Sequence, residues 1–442
     1  MGRFQFWILT SLALSLISLL FVQIKSRLAA IAQVLNTVAI SAFIVALALI
    51  KEFNYSADFS LSPLHKRILL FATAAHFLAQ YFLFFKRNIF SPWWSFFGQL
   101  SLWGLFIFLS AQNIVLLFAS YFLMSMPLFI IFTRSSEPKS LLSPASYLTQ
   151  ISSFFSAGLS LVFFSLALGS NPLNSGQLVS QTLFCLGLCL FLLTLVLEMN
   201  IFPLGKNLLQ LWRDNYSQFF YALFIISPAL IWALMVRFKE LSQNCPQTSL
   251  LTIIITVTSF ASLGLWSWKA YKCTQLQNRL SLMFRVNSVM FFAYLLMPNE
   301  TFNQTYLAYS LLAIGTSGAA LHCLFYRSDF SEEVFNGLFY KNKLLSFFII
   351  LFAGSLVGFP LTSTFFFRFR TFSNPSGQLP FIVIESLGII LLLIQYYFLM
   401  RTIFKKDATP QLPQAVEKYR LILVSLLALA TLYGGIWPFM RF

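Results

Sequence analysis

Six side chains in this 442-residue sequence place ionisable groups in or at the border of long apolar runs: His76, Glu198, Arg285, His322, Arg368 and Glu385. Charge inside a membrane is costly, so each such group is a functional candidate by default. A buried carboxyl is pushed toward neutrality and can load and release a proton, whereas a guanidinium stays protonated and supplies fixed charge. Glu198 and Arg285 lie in helices able to pack together, where pairing would offset much of the desolvation cost. The plainer alternative to a proton relay through Glu198, Arg285 and Arg368 is a structural pair or a helix-end snorkel. His76 and His322 suit packing or hydrogen bonding better than metal ligation. Three histidines and five cysteines without CxxC spacing argue against a metal or haem site. Cys185 and Cys189, one helical turn apart in an apolar run, fit simple packing. No GxGxxG or Walker-type motif is present to hold a nucleotide or flavin.

The elements around these residues are membrane spans. Apolar residues make up 58% of the chain and charged ones only 10%, against about 25% charged in a soluble domain. A soluble enzyme, a secreted disulfide scaffold and a disordered chain are excluded. Apolar runs of crossing length fall near 5–23, 29–50, 68–85, 91–110, 112–132, 144–168, 178–202, 216–236, 248–267, 281–297, 304–325, 344–366, 380–403 and 420–438. The expectation is therefore an all-α polytopic membrane protein of about 14 transmembrane helices. The opening MGRFQF runs into an apolar stretch with no small-residue cleavage site and reads as the start of the first span. Trp93 and Trp94, near a span start, fit an interfacial belt. The Phe clusters suit lipid-facing and interhelical packing better than a quinone site.

Loop charge sets the orientation. Of 29 Lys and Arg, 19 fall in one alternating set of loops, 9 in the set that includes the termini, and Arg285 inside a span. The positive-inside rule then puts both termini on the outer, periplasmic side. The excess of basic over acidic residues belongs to these loops, and no folded basic face suggests nucleic acid.

Two spans share a local signature. Phe202-Pro203-Leu204 follows an apolar run, and Phe359-Pro360-Leu361 does so again 157 residues later. Proline inside a span breaks the helix, and broken helices at matching places in two halves point to a transporter built from repeats. Chance matching among 16 prolines is the alternative.

At these breaks the sequence resembles a known family. Phe335–Phe372 (FNGLFYKNKLLSFFIILFAGSLVGFPLTSTFFFRFRTF) looks like the twelfth-helix region of the antiporter-like subunits of respiratory complex I. Gln277-Asn278-Arg279-Leu280 resembles the start of that family's tenth helix, and Tyr306-Leu307-Ala308-Tyr309 with Gly315 its eleventh. Phe122–Phe129 (FLMSMPLF) resembles the fifth-helix segment, Glu198–Gly205 (EMNIFPLG) the seventh, and Ser227-Pro228-Ala229 with Arg237 the eighth. Tyr396-Tyr397 ahead of Arg401 resembles the end of the thirteenth. The matches run in order over about residues 110–405 and are most similar to subunit N. The resemblance implies two inverted five-helix repeats with broken helices 7 and 12, at Pro203 and Pro360. It also implies a division into 1–90, a three-helix segment; 91–240 and 241–405, the two repeats; and 406–442, a last helix.

The family moves protons along a buried row of Glu and Lys. Residue by residue, that row is degenerate here. Phe122 stands at the fifth-helix Glu, Ser146 at a sixth-helix Lys, Glu198 at the seventh-helix Lys, and Gly205 at the His closing that motif. Ala229 stands at the eighth-helix Lys and Arg368 at the twelfth-helix Lys. Phe and Ala cannot carry a proton, and Arg368 is hardly titratable. The resemblance thus implies a membrane-arm subunit of a proton-pumping NADH:quinone oxidoreductase, structural in role or pumping weakly or not at all. Its expected partners are other membrane-arm subunits, including antiporter-like neighbours, and the lipid bilayer. NADH, FMN, Fe-S clusters and quinone would be bound by partner subunits, with no cofactor and no catalytic centre in this chain. A bacterial inner membrane is expected, with the mitochondrial inner membrane as the alternative host. The competing expectation is an antiporter-like membrane component outside complex I, in a cation/proton antiporter or an ion or inorganic-carbon uptake complex.

Overall fold

The computed structural model describes residues 7, 10–18, 29–49, 53–56, 59–84, 92–134, 144–168, 179–199, 201, 217–243, 245, 248–272, 276–298, 302–325, 336–373, 379–405 and 418–436. Among the described residues the protein is all-α apart from one antiparallel hairpin, Phe53–Ser56 with Phe59–Leu61, in a stretch the sequence leaves as a loop. The helices are α1 (Ala29–Leu49), α2 (Pro63–Phe84), α3 (Pro92–Ser110), α4 (Ile114–Arg134), α5 (Pro144–Leu168), α6 (Gln181–Glu198), α7 (Ser217–Ser242) and α8 (Thr248–Tyr271). There follow α9 (Leu276–Ala293), α10 (Gln304–Phe325), α11 (Leu338–Lys341), α12 (Lys343–Val357), α13 (Ser363–Ser373), α14 (Leu379–Ile403) and α15 (Lys418–Ile436).

Helix falls on every apolar segment singled out in the sequence, the first being covered over 10–18. Among the described residues, five helical stretches are long and apolar enough to cross a bilayer: Leu148–Leu168, Gln181–Glu198, Ser249–Tyr271, Arg279–Leu296 and Leu379–Ile403. Shorter apolar stretches lie at Val34–Leu49, Phe96–Ser110, Ile114–Ile130, Lys343–Val357 and Leu421–Tyr433. Helix starts carry the expected chemistry. Pro opens α2, α3 and α5, where its missing N–H costs nothing. Ser62 Oγ accepts from His65 N at 3.2 Å, and Asn303 Oδ1 accepts from the amides of Thr305 and Tyr306, each serving orphan donors of a first turn.

The chain forms two compact units. The first comprises Met1–Leu141, Phe154–Phe191 and Gln218–Ala233. Its tightest contact is α3 on α4, where Ser101 Oγ donates to Met124 O at 2.6 Å. A Cβ at Gly104 would stand 2.4 Å from Met124 N, so only glycine permits this approach. Phe43 stacks on Trp103 at 4.6 Å, and Phe118, Phe164 and Phe184 form a further chain of buried ring contacts. The second unit comprises Leu142–Ser153, Leu192–Ser217 and Leu234–Phe442. In it α9 packs on α8 and α14, and α12, α13 and α15 pack around α10. A Cβ at Gly388 of α14 would strike Met290 Sδ of α9 at 2.5 Å.

Candidate functional site: a capped helix break

Pro360 breaks its helix as the sequence predicts. α12 stops at Val357 and α13 starts at Ser363. Gly358 takes the left-handed conformation (φ 83°) that a helix end of this type requires. Its N–H reaches Ser355 O at 3.2 Å and the N–H of Phe359 reaches Gly354 O at 3.0 Å, the paired bonds of a Schellman motif. Leu361 is also left-handed (φ 70°), a conformation that strains a residue with a side chain. Thr364 Oγ1, in the first turn of α13, donates back to Ser355 O at 2.5 Å.

These bonds leave the carbonyls of Leu356 and Val357 facing the gap, and a cation fills it. Arg368, three turns downstream in sequence on α13, folds back and donates through Nη1 to Val357 O and through Nη2 to Leu356 O at 3.4 Å. Nη2 also donates to Asn287 Oδ1 at 2.7 Å. Asn287, on α9, donates its own amide to Leu356 O and Met283 O, each at 2.9 Å. Behind the guanidinium, Nε of Arg368 lies 3.6 Å from Glu385 Oε1 on α14. Arg368 is 6% exposed and Glu385 1%. A cation at a helix C-terminus is favoured by the dipole, and here the same cation neutralises a buried carboxylate.

The other singled-out positions are scattered. Phe122 sits among aromatic rings, 5.7 Å from Phe154 and 5.6 Å from Tyr121. Ala229 is fully buried. Glu198 accepts from Ser153 Oγ at 2.9 Å and Gln150 Nε2 at 3.2 Å. Arg285 lies against Trp266, its guanidinium carbon 4.4 Å from the ring centre, with all three nitrogens lacking a hydrogen-bond partner. The expected Glu198–Arg285 pair is therefore not among the ion pairs of the described residues. Polar side chains of α5 hold Glu198, and an indole face holds Arg285. The packing expected of Cys185 is corrected too, since Cys185 is engaged in a disulfide while Cys189 is free. His76 is buried, its ring directly under Gly98. Ser146, Pro203, Gly205, His322, Trp93 and Trp94 lie outside the described residues or have side chains that do.

The sequence pointed to Arg368 but missed its partners. Glu385 was visible as one of two acids well inside spans, and pairing it with Arg368 rather than looking to Glu198 was the available signal. Asn287 carried no signal, since a single amide in a helix has many uses.

No family model matches the sequence, and no curated protein matches it. Solved structures do share the fold. A chain of respiratory complex I from Thermus thermophilus with bound NADH superposes with a TM-score of 0.77 at 15% identity, over 98% of this chain and 96% of that one. A chain of respiratory complex I from Thermus thermophilus with bound aureothin gives 0.75 at 14%, over 99% and 97%. A chain of the membrane-bound sulfane sulfur reductase (MBS), an archaeal respiratory membrane complex, gives 0.73 at 17%, over 98% and 95%. The chain thus has the polytopic fold of membrane subunits of respiratory complexes.

Proposed function

We propose that this chain is a membrane-arm subunit of a proton-pumping NADH:quinone oxidoreductase, similar to subunit N, whose own proton path is largely lost. The observation that carries this reading is the end-to-end fold shared with complex I chains, over 98% of this chain and 96% of that one. The inert chemistry at three of the row positions supports the scaffold role. Phe122 is packed among rings, Ala229 has no ionisable group, and Arg368 is tied to two carbonyls, an amide and a carboxylate. The subunit then holds its antiporter-like neighbours in register while NADH, FMN, Fe-S and quinone chemistry proceeds in partner subunits. Both termini face the periplasm of a bacterial inner membrane in this reading.

The likeness to a chain of the sulfane sulfur reductase, at a TM-score of 0.73, favours a second reading: an antiporter-like component of a membrane complex other than complex I. One experiment separates them. The chain is affinity-captured from native membranes in mild detergent, and co-purifying proteins are identified by mass spectrometry. Flavin- and iron–sulfur-bearing NADH dehydrogenase subunits are expected. Recovery of a different redox or uptake assembly supports the second reading, and recovery of the chain alone refutes both.

A further inference from the structure

Arg285 of α9 is 1% exposed. The face of its guanidinium rests on Trp266 of α8, 4.4 Å from the ring centre. That contact engages the π cloud but not the five N–H donors, which point outward in the guanidinium plane. Nε, Nη1 and Nη2 all lack an acceptor. Ser281 Oγ, one turn earlier on α9, is likewise buried without a partner, as are Trp266 Nε1 and Ser259 Oγ on α8. Ser259, Ser262 and Trp266 recur at helical spacing on one buried face of α8, and α8 packs directly on α9. Buried polar atoms are almost always satisfied, so a concentration of orphaned ones on two adjoining helices calls for a ligand.

The charge of Arg285 decides which ligand. A guanidinium does not deprotonate in a protein, and the chain offers it no counter-charge among the described residues. Their three acids are engaged elsewhere: Glu198 with Ser153 and Gln150, Glu240 with Arg237 at 2.9 Å, and Glu385 with Arg368. Water would satisfy the donors and leave the charge; a small anion satisfies both. A second cation meets the same indole, Lys269 Nζ standing 4.7 Å from the Trp266 centre, and Lys272 lies 4.2 Å over Trp268 beyond it. Lys269, near the end of α8, adds positive potential beside this indole that concentrates anions. We propose that the α8–α9 pair binds one small inorganic anion of the halide class. The N–H groups of Arg285 hold it, Trp266 Nε1 and Ser281 Oγ are the further donors available, and Lys269 draws it in.

The test titrates the full chain in lipid nanodiscs with radiolabelled chloride, gluconate being the only other anion. Saturable binding is expected. Removing a charge-assisted donor in Arg285→Gln is expected to weaken it about ten- to hundredfold, with partial recovery in Arg285→Lys and a few-fold loss at low salt in Lys269→Gln. If Arg285→Gln does not fold, Arg285→Lys and Lys269→Gln decide the matter, and unchanged affinity in both overturns the proposal. Absence of saturable binding to the wild-type chain, or equal affinity in Arg285→Gln, also overturns it. None of these outcomes depends on which complex the chain joins.

Discussion

At the scale of single residues, the break is held by one guanidinium with several obligations. Arg368 serves two helix-end carbonyls, the Asn287 amide oxygen and the Glu385 carboxylate at once. Removing one member of a buried pair costs about 3–5 kcal/mol, because the survivor stays charged and buried. Arg368→Ala is expected to lose that much, measured by thermal unfolding in detergent, and to lose more than Glu385→Gln, which leaves the carbonyl and amide bonds in place. The reverse order would mean that the carboxylate, not the capping, organises the site. Lys239 repeats the device beyond the expected span 216–236. Its ammonium donates to Leu295 O at 3.1 Å and Met297 O at 2.7 Å, around the single 3-10 turn that ends α9. Burial lowers its pKa from 10.5 to about 8. Between about pH 8 and 10.5 the unfolded chain therefore binds the proton that the folded chain has released, so stability rises with pH through that window. The rise is expected to vanish in Lys239→Met when unfolding is followed across it. Arg368 was legible because a cation at the border of an apolar run, eight residues past a proline break, is conspicuous. Its partner Asn287 was not, because it comes from a helix 81 residues away whose facing row no periodicity reveals; Glu385, on the next helix, was visible only as an acid inside a span.

At the scale of elements, two glycines make opposite demands that substitution can separate. Gly358 is required for its conformation, since at φ 83° any side chain is strained by about 1–2 kcal/mol. A Cβ there would also lie 3.0 Å from Arg368 Cδ, so Gly358→Ala disturbs the cap as well. Gly104 is required for space alone. Gly104→Ala would drive a methyl into the Met124 backbone, whereas Gly158 has nothing within 4 Å of its would-be Cβ. Gly158→Ala is expected to be neutral or to stabilise by about 1 kcal/mol through helix propensity, and Gly104→Ala to destabilise. Comparison of the two melting curves checks the α3–α4 contact. The helices themselves were readable from apolar runs of bilayer length, with proline marking the interruption after Val357. The hairpin at 53–61 was not readable, because its strands of four and three residues (FNYS and FSL) are too short for their alternation to stand out between two long apolar runs.

At the scale of the whole molecule, the fold is shared with chains of respiratory membrane complexes, and two positions of the expected row carry no ionisable group. A chain covering 96–97% of complex I subunits, yet carrying Phe122 and Ala229 at two positions of the expected row, is expected to show no cation/proton exchange by itself. Vesicles containing only this protein, loaded with a pH-sensitive dye and given a sodium jump, are expected to respond as empty vesicles do. Exchange above that background would restore the antiporter reading. Broken helices in transporters normally expose carbonyls that act as a seat for a travelling cation. Here the seat at Leu356 and Val357 is occupied by an ion that belongs to the chain: the Arg368 guanidinium, tethered a few residues downstream. A tethered ion has no other side to reach. A free sodium or potassium ion would have to displace a covalently attached rival to lodge at these carbonyls.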